Sequence, residues 1–450
     1  MNRESMLKRT ARQAERAEKN WKWNKAADLY ERCSTMEPNS PIWATNLANC
    51  LWLAGEAHDP RALETCLKAC RLAPEHPKPW IGLGHLYRDL ERYGDAELAY
   101  AEAMRVCKAS DQPEIAWCRS QNLIGLGEYS KAYTLAEQRL ELDRLMPYRS
   151  GPYWEGWHSD QKTTQLPKRI TVWTEQGFGD TIQYSRWLIP LLQQGVNVTL
   201  EAESALVRLL EEGLRWTGGK LTVVSKKQSL QPDLVGGLCH GSLLSLPTRL
   251  GGAPFTQVDQ PKRGYLRLNE RRSQPFDDSE AQAECQRSPR IGLVWASGNK
   301  NSDAVVAREY QRRSLPSAAV QQLIQILDQE GSDLVCLQYG CDQDRAGIAQ
   351  RLFSNQLPDS ADFLTTAEWI DKLDLIISVD TAYAHLAGAL HKPVWVLLPA
   401  GPDPRWAKSA IKEIRYSSAT LIRQDQPNNW EDVIMKVARK YRLWKNEIRR

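Results

Sequence analysis

No apolar run in these 450 residues approaches the roughly 18–20 needed to cross a bilayer. Residues 1–25 are charged and helical in character, without the apolar core or cleavage site of a secretory signal. The address expected from this is the cytoplasm, free or peripheral to a membrane. A concentrated basic block is also missing: 59 basic residues face 55 acidic ones, for a net charge of +4. The basic runs are short pairs (Arg271-Arg272, Arg312-Arg313, Arg449-Arg450), so nucleic-acid binding is not expected. None of the ten cysteines forms a Cys-x-x-Cys pair, and six fall in the helical first third. They read as reduced, buried thiols, Cys66 and Cys70 sharing one helix face. Seven histidines lack metal-ligand spacing, which argues against a structural zinc. What is present is 42% hydrophobic residues, enough for sizeable cores in two to four domains.

The first third repeats. A small residue is followed four positions later by a second core position at Ala26/Tyr30, Ala62/Cys66, Ala96/Tyr100 and Ala132/Ala136. Pro38 and Pro74 each close a repeat twelve residues past its alanine. The third repeat is the clearest, with Trp80, Leu83, Gly84 and Tyr87 ahead of Tyr93-Gly94-Asp95-Ala96. Over residues 8–146 the pattern resembles tetratricopeptide (TPR) repeats, in which small residues let paired helices approach while aromatics fill the gaps. Residues 54–60 read as a longer turn between helices. Such arrays offer a concave face to a protein partner or acceptor, or simply pack on the next domain.

Residues 147–167, rich in proline, glycine and aromatics, read as an ordered connector. Strands and helices then alternate over 168–267: strand 170–173, a tight turn at 175–180, helix 181–194, strand 196–200, helix 204–214 and strand 221–224. This predicts a parallel, Rossmann-like sheet whose chemistry gathers at the carboxyl ends of its strands. Gly177 and Gly179 form the turn there, but Ile182 stands where a dinucleotide fingerprint needs its third glycine, so an NAD site is not supported. Asp180 has two readings: a cap on the helix expected from Thr181, or a carboxylate base facing a cleft.

After a polar linker at 268–290, a second series of strands and helices fills 291–440. Strands are expected at 291–295, 334–338, 375–379 and 393–398, with a helix at 315–328. Asp380-Thr381 follows the third of these strands and opens a helix rich in small residues. That makes a seat for a diphosphate, with free amides and the positive end of a helix dipole aimed at the ligand. Arg312, Arg313 and Ser314 could neutralise further phosphate charge.

Several blocks occur in one order: Trp173 to Gln183, Ile291 to Ala296, Arg313-Ser-Leu, Leu337-Gln-x-Gly340, Leu373 to Leu390 and Pro402-Asp-x-Arg-Trp406. Together they resemble the heptosyltransferases (glycosyltransferase family 9) fused to tetratricopeptide repeats, a group akin to the O-linked N-acetylglucosamine transferases. Ser-Val-Asp-Thr-Ala-x-Ala-His-Leu-Ala, beginning at Ser378, is the most specific part. The resemblance implies an α-helical array followed by a GT-B pair of Rossmann-like α/β domains. It implies inverting, metal-independent transfer from a nucleotide-sugar co-substrate, with no other cofactor, to a hydroxyl of a glycan, glycolipid or protein. Asp180 matches the family's base. Asp380 and Thr381 match its donor-diphosphate loop, where His385 either touches the ligand or supports the loop. Gln338, Arg313 and Ser314 fall on donor-side segments. Residues 300–310 are longer and more polar than the family's loop, so Arg312 and Arg313 both remain candidates.

Two readings compete. Asp342-Gln343-Asp344 is an Asp-x-Asp motif of the kind that holds a metal on a nucleotide in GT-A enzymes. Alternatively, the chain is an interaction scaffold whose transferase module no longer works.

Overall fold

The computed structural model describes residues 2–55, 59–142, 153–156, 166–226, 239–251, 264–269, 288–298, 303–407 and 416–448. Most of the expected connector (147–167) and linker (268–290) therefore lies outside the described residues. The chain forms two compact units. One comprises Met1–Leu145 with Asn299–Arg312 and Ala400–Ile411, the other Met146–Gly298, Arg313–Pro399 and Lys412–Arg450. Two stretches that the sequence pattern assigns to the last α/β half thus pack with the repeats. Among the described residues no helix is long and apolar enough to cross a membrane.

The first unit opens with four helical hairpins: α1 (Arg3–Lys19) and α2 (Trp23–Met36), α3 (Pro41–Leu53) and α4 (Pro60–Leu72), α5 (Pro77–Asp89) and α6 (Tyr93–Val106), α7 (Gln112–Gly125) and α8 (Tyr129–Ala136). Proline in the first turn starts α3, α4, α5 and α7, where its missing N–H costs nothing. The repeated small residues Ala26, Ala62, Ala96 and Ala132 all lie on the second helix of a hairpin and are buried. The close approach is literal in the third hairpin. A Cβ on Gly84 would stand 2.6 Å from the Tyr100 ring, so α5 meets α6 only because that side chain is absent. The nine described cysteines are unpaired. Burial pushes the thiols of Cys50, Cys66 and Cys70 up to about 12, which keeps them protonated and inert.

The second unit holds two sheets, all of whose strand pairs are parallel. The first contains β1 (Arg169–Trp173), β2 (Asn197–Ala202), β3 (Leu221–Ser225) and β4 (Cys239–Ser242), in the order β3-β2-β1-β4. The second contains β5 (Arg290–Val294), β6 (Asp333–Cys336), β7 (Asn355–Gln356), β8 (Leu375–Val379), β9 (Val394–Leu398) and β10 (Ala419–Arg423). Its order is β10-β9-β8-β5-β6-β7. Counted within itself, this second sheet runs 3-2-1-4-5-6, the doubly wound Rossmann order, and the first carries that order's 3-2-1-4 portion. The chain is therefore a helical repeat array joined to a pair of Rossmann-like α/β sheets. Every residue of β8 and β9 is buried, which accounts for their almost wholly apolar sequences, Ser378 being the one polar residue.

In both sheets the order reverses between the first and fourth strands, β1/β4 and β5/β8. Crevices at such switch points open past the carboxyl ends of the strands. Of the four strands that flank these points, sequence reading found β1, β5 and β8 and missed β4; farther out it also missed the edge strands β7 and β10. Tyr153 of the aromatic connector bridges to His240 of β4, and Trp154 N donates to the His240 carbonyl at 2.8 Å.

Candidate functional site

The first half of the site begins where β1 ends. The helix after it spans Phe178–Tyr184, three residues earlier than the sequence pattern predicts, and gives way at Ser185–Trp187 to a 3-10 turn ahead of helix Leu188–Gln193. Its N-cap is Gly177, with no side-chain cap, and Asp180 sits in the first turn. The expected capping role of Asp180 is thus corrected: the carboxylate complements the helix dipole but does not close the helix end. Asp180 remains partly exposed. Gly179, also expected in a loop, is helical and has a packing reason to be glycine. A Cβ there would stand 2.8 Å from His385 Cδ2.

The second half is built at the ends of β5 and β8. Asp380 follows β8 directly, and Thr381 is the N-cap of helix Ala382–Ala389. The Thr381 side chain does not cap that helix; its hydroxyl lies 3.0 Å from Ser378 Oγ instead, and it accepts from none of the helix's first amides. Asp380 is buried, with one oxygen 3.3 Å from Arg313 Nη1 and the other 3.9 Å from His385 Nε2. His385 is itself buried, and its Nδ1 lies 2.9 Å from the Tyr416 hydroxyl. At the end of β5, Gln338 Oε1 accepts from the amides of Trp295 (3.0 Å) and Ala296 (2.9 Å). Ser314 Oγ accepts from Ser297 N at 3.2 Å. Gln338 and Ser314 thus shape the loop beside Asp380, and Ser297 Oγ, buried, has no hydrogen-bond partner among the described residues.

The two arginine candidates part company. Arg312 closes the segment that belongs to the repeat unit, where Nη2 donates to the carbonyls of Ala400 (3.0 Å) and Gly401 (2.7 Å) and Nη1 to Glu309 (2.9 Å). Arg313 begins the return to the α/β unit and stays with Asp380. The long polar stretch before them is not all loop: Ala304–Arg313 is a helix. The Asp-x-Asp motif lies in a 3-10 stretch, Gly340–Leu352. Asp342 is ion-paired to Arg345 at 3.0 Å, and its carbonyl accepts from Trp295 Nε1 at 2.7 Å. Among the described residues no group of three or more metal-ligating side chains comes together.

Helix Phe178–Tyr184 packs on helix Ala382–Ala389, and two aromatic contacts extend that seam. Phe178 meets Phe363 at 5.1 Å between ring centroids, and Phe363 meets Tyr383 at 6.1 Å. Gly177, Gly179 and Asp180 therefore share one neighbourhood with Asp380, Thr381, His385, Arg313, Ser314 and Gln338, while Arg312 belongs elsewhere. Sequence reading missed Ser297 and Tyr416. Ser297 carried a usable signal, being a small hydroxyl just past a switch-point strand. Tyr416, distant in sequence and outside any motif, carried none.

No family profile matches the chain. Protein FlbA of Caulobacter vibrioides is 23% identical over 399 residues, which cover 82% of this chain and 62% of that protein. This chain thus spans less than two thirds of that relative's length. Among solved structures, an O-GlcNAc transferase mutant of Thermobaculum terrenum aligns over 100% of this chain and 94% of its own, at 12% identity and a TM-score of 0.34. The TPR domain of Arabidopsis OM64 aligns over 27% of this chain and 97% of its own, at 16% identity and a TM-score of 0.25.

Proposed function

We propose that the α/β unit is a glycosyltransferase, inverting and metal-independent, that moves a sugar from a nucleotide-sugar donor to an acceptor hydroxyl. One observation carries the reading: the helix bearing Asp180 packs, through Gly179, against the helix that Asp380 and Thr381 introduce. A partly exposed carboxylate and an uncapped helix start, on neighbouring switch points, suit the two halves of a displacement. Asp180 takes the proton of the acceptor hydroxyl, whose oxygen bonds to the anomeric carbon. The bond from that carbon to the diphosphate breaks, and the leaving group departs with the electron pair. Arg313, Thr381 and the first amides of helix Ala382–Ala389 meet its charge, with Ser297 and Ser314 alongside. The repeat array recruits the acceptor or a protein partner, and the acceptor is a glycan, a glycolipid or a protein.

A second reading has one observation in its favour. Arg313 already spends a donor on Asp380, as it would in a scaffold whose α/β unit no longer transfers. Sugar transfer and nucleotide binding by the wild type and by Asp180→Asn separate the two. Loss of transfer by a factor of ~10²–10⁴ with nucleotide affinity nearly intact is the expected result for a lost base. Equal transfer by both proteins removes Asp180 from the mechanism, and no nucleotide binding by the wild type favours the scaffold.

A further inference from the structure

Behind Asp380 lies a buried series of polar rings that the transfer reaction does not use directly. His385 is held on two sides. Gly179 presses on its Cδ2 edge, and the Tyr416 ring meets it edge-on at 5.7 Å between centroids and 61° between planes. Tyr416 can come so close because Gly388, on the same helix, has no side chain: a Cβ there would stand 2.3 Å from Tyr416 Cγ. A cation also lies over the tyrosine ring. The guanidinium carbon of the fully buried Arg186 lies 5.1 Å from the centre of the Tyr416 ring and 4.4 Å from that of Tyr265. Tyr265 is anchored in turn, its hydroxyl donating to the Ile182 carbonyl at 2.8 Å.

We infer that Tyr416 is a positioning residue: its hydroxyl fixes the tautomer and ring plane of His385, and through His385 the carboxylate of Asp380 at the proposed donor turn. The proton's place follows from the partners. Nε2 faces the Asp380 carboxylate at 3.9 Å, which only accepts, so the proton belongs on Nε2. Nδ1 is then an acceptor, and the phenol donates to it across 2.9 Å. Arg186 over the ring face favours negative charge on the phenol oxygen, which makes the hydroxyl a better donor. With His385 at one oxygen and Arg313 at the other, Asp380 has one preferred orientation before any ligand arrives. A preset turn spares the ligand the cost of ordering it.

The inference rests on the donor-site reading, yet its first readout does not. Nitrogen-15 spectra of histidine-labelled protein report the tautomer of each of the seven histidines, and His385→Gln assigns the one in question. The wild type should show His385 with its proton on Nε2, and Tyr416→Phe, which keeps the ring and removes the hydroxyl, should lose that single tautomer. In parallel, titration with UDP, ADP and GDP should show about fivefold weaker binding by Tyr416→Phe of whichever nucleotide the wild type takes, the value of one neutral hydrogen bond. A wild-type proton on Nδ1 overturns the proposal. So does a tautomer that survives Tyr416→Phe, or a nucleotide affinity that the substitution leaves unchanged. If the wild type binds none of the three nucleotides, the donor-site reading falls, and the tautomer alone decides what Tyr416 does.

Discussion

Asp89 and Asp380 are both buried aspartates that meet an arginine, and each has a histidine and a tyrosine close by, but the two are finished differently. Asp89, at the end of α5, is saturated. Trp52 Nε1 donates to it at 2.8 Å, Arg308 pairs with it through Nη2, and Arg312 stands 3.8 Å away. Arg308 also donates to the Trp52 carbonyl at 2.7 Å and lies 4.5 Å above the Trp52 ring. His85 stacks on that ring at 5.0 Å and shares a 2.7 Å hydrogen bond with Tyr100. Burial alone would raise the Asp89 pKa, but Arg308, Arg312 and Arg88 outweigh it and hold the group well below the usual carboxylate range. Asp380 has a looser arginine: Arg313 is 30% exposed where Arg308 is 2% exposed. A sealed ion pair locks a fold, while a half-open one stays within reach of solvent and of an incoming anion.

That contrast can be broken most directly at Asp89. Asp89→Ala should cost about 3–5 kcal/mol in urea denaturation, because it strands buried guanidinium groups. A cost within a few tenths would mean that the pairing stabilises nothing. The adjacent arginines sharpen the contrast. Arg313→Ala should weaken binding of UDP, ADP or GDP by about ten- to a hundredfold, as expected for one charged hydrogen-bond donor, and should leave the denaturation midpoint nearly unmoved. Arg312→Ala should do the reverse. Equal behaviour of the two variants would erase the distinction drawn between them.

The smallest effect is a slope. Burial, helped by Arg88 and Arg308 and opposed by Asp89, lowers the His85 pKa from 6.5 to about 3. A histidine that stays neutral when folded but takes a proton when unfolded contributes stability that is complete above pH 6.5. That stability is lost as the pH falls toward 3, by about 1.4 kcal/mol per pH unit within that window. Asp89, also lowered, adds its own loss only below about pH 4. Urea titrations between pH 6.5 and 4.5 should therefore show the slope in the wild type and a flatter line in His85→Gln. Parallel lines would remove His85 from the acid response.

Local rules made much of this legible in the sequence. The alanines of the repeats recur because each hairpin has the same close contact, and the apolar runs of β8 and β9 announce strands buried on both faces. Asp380-Thr381 could be placed at a strand end because strand, turn and helix follow each other within a dozen residues. What could not be read depends on distant partners. The helix Ala304–Arg313 looked like a polar loop because its charges are matched across the fold, Arg308 to a residue 219 positions earlier. Strand β4, Cys-His-Gly-Ser, has no β-branched residue to betray it and exists because β1 offers an edge. The helix start at Phe178 was misplaced because Gly177, rather than a capping side chain, begins it.

The repeat unit is discontinuous along the chain, which passes between units at 145/146, 298/299, 312/313, 399/400 and 411/412. Cutting the gene after residue 145 would not release a clean module. It would leave Arg308 and Arg312 without Asp89, and Gly401 without the Asp89 backbone that leaves no room for a side chain there. A foreign repeat array grafted in its place would have to bring its own aspartate and tryptophan to the ends of two helices.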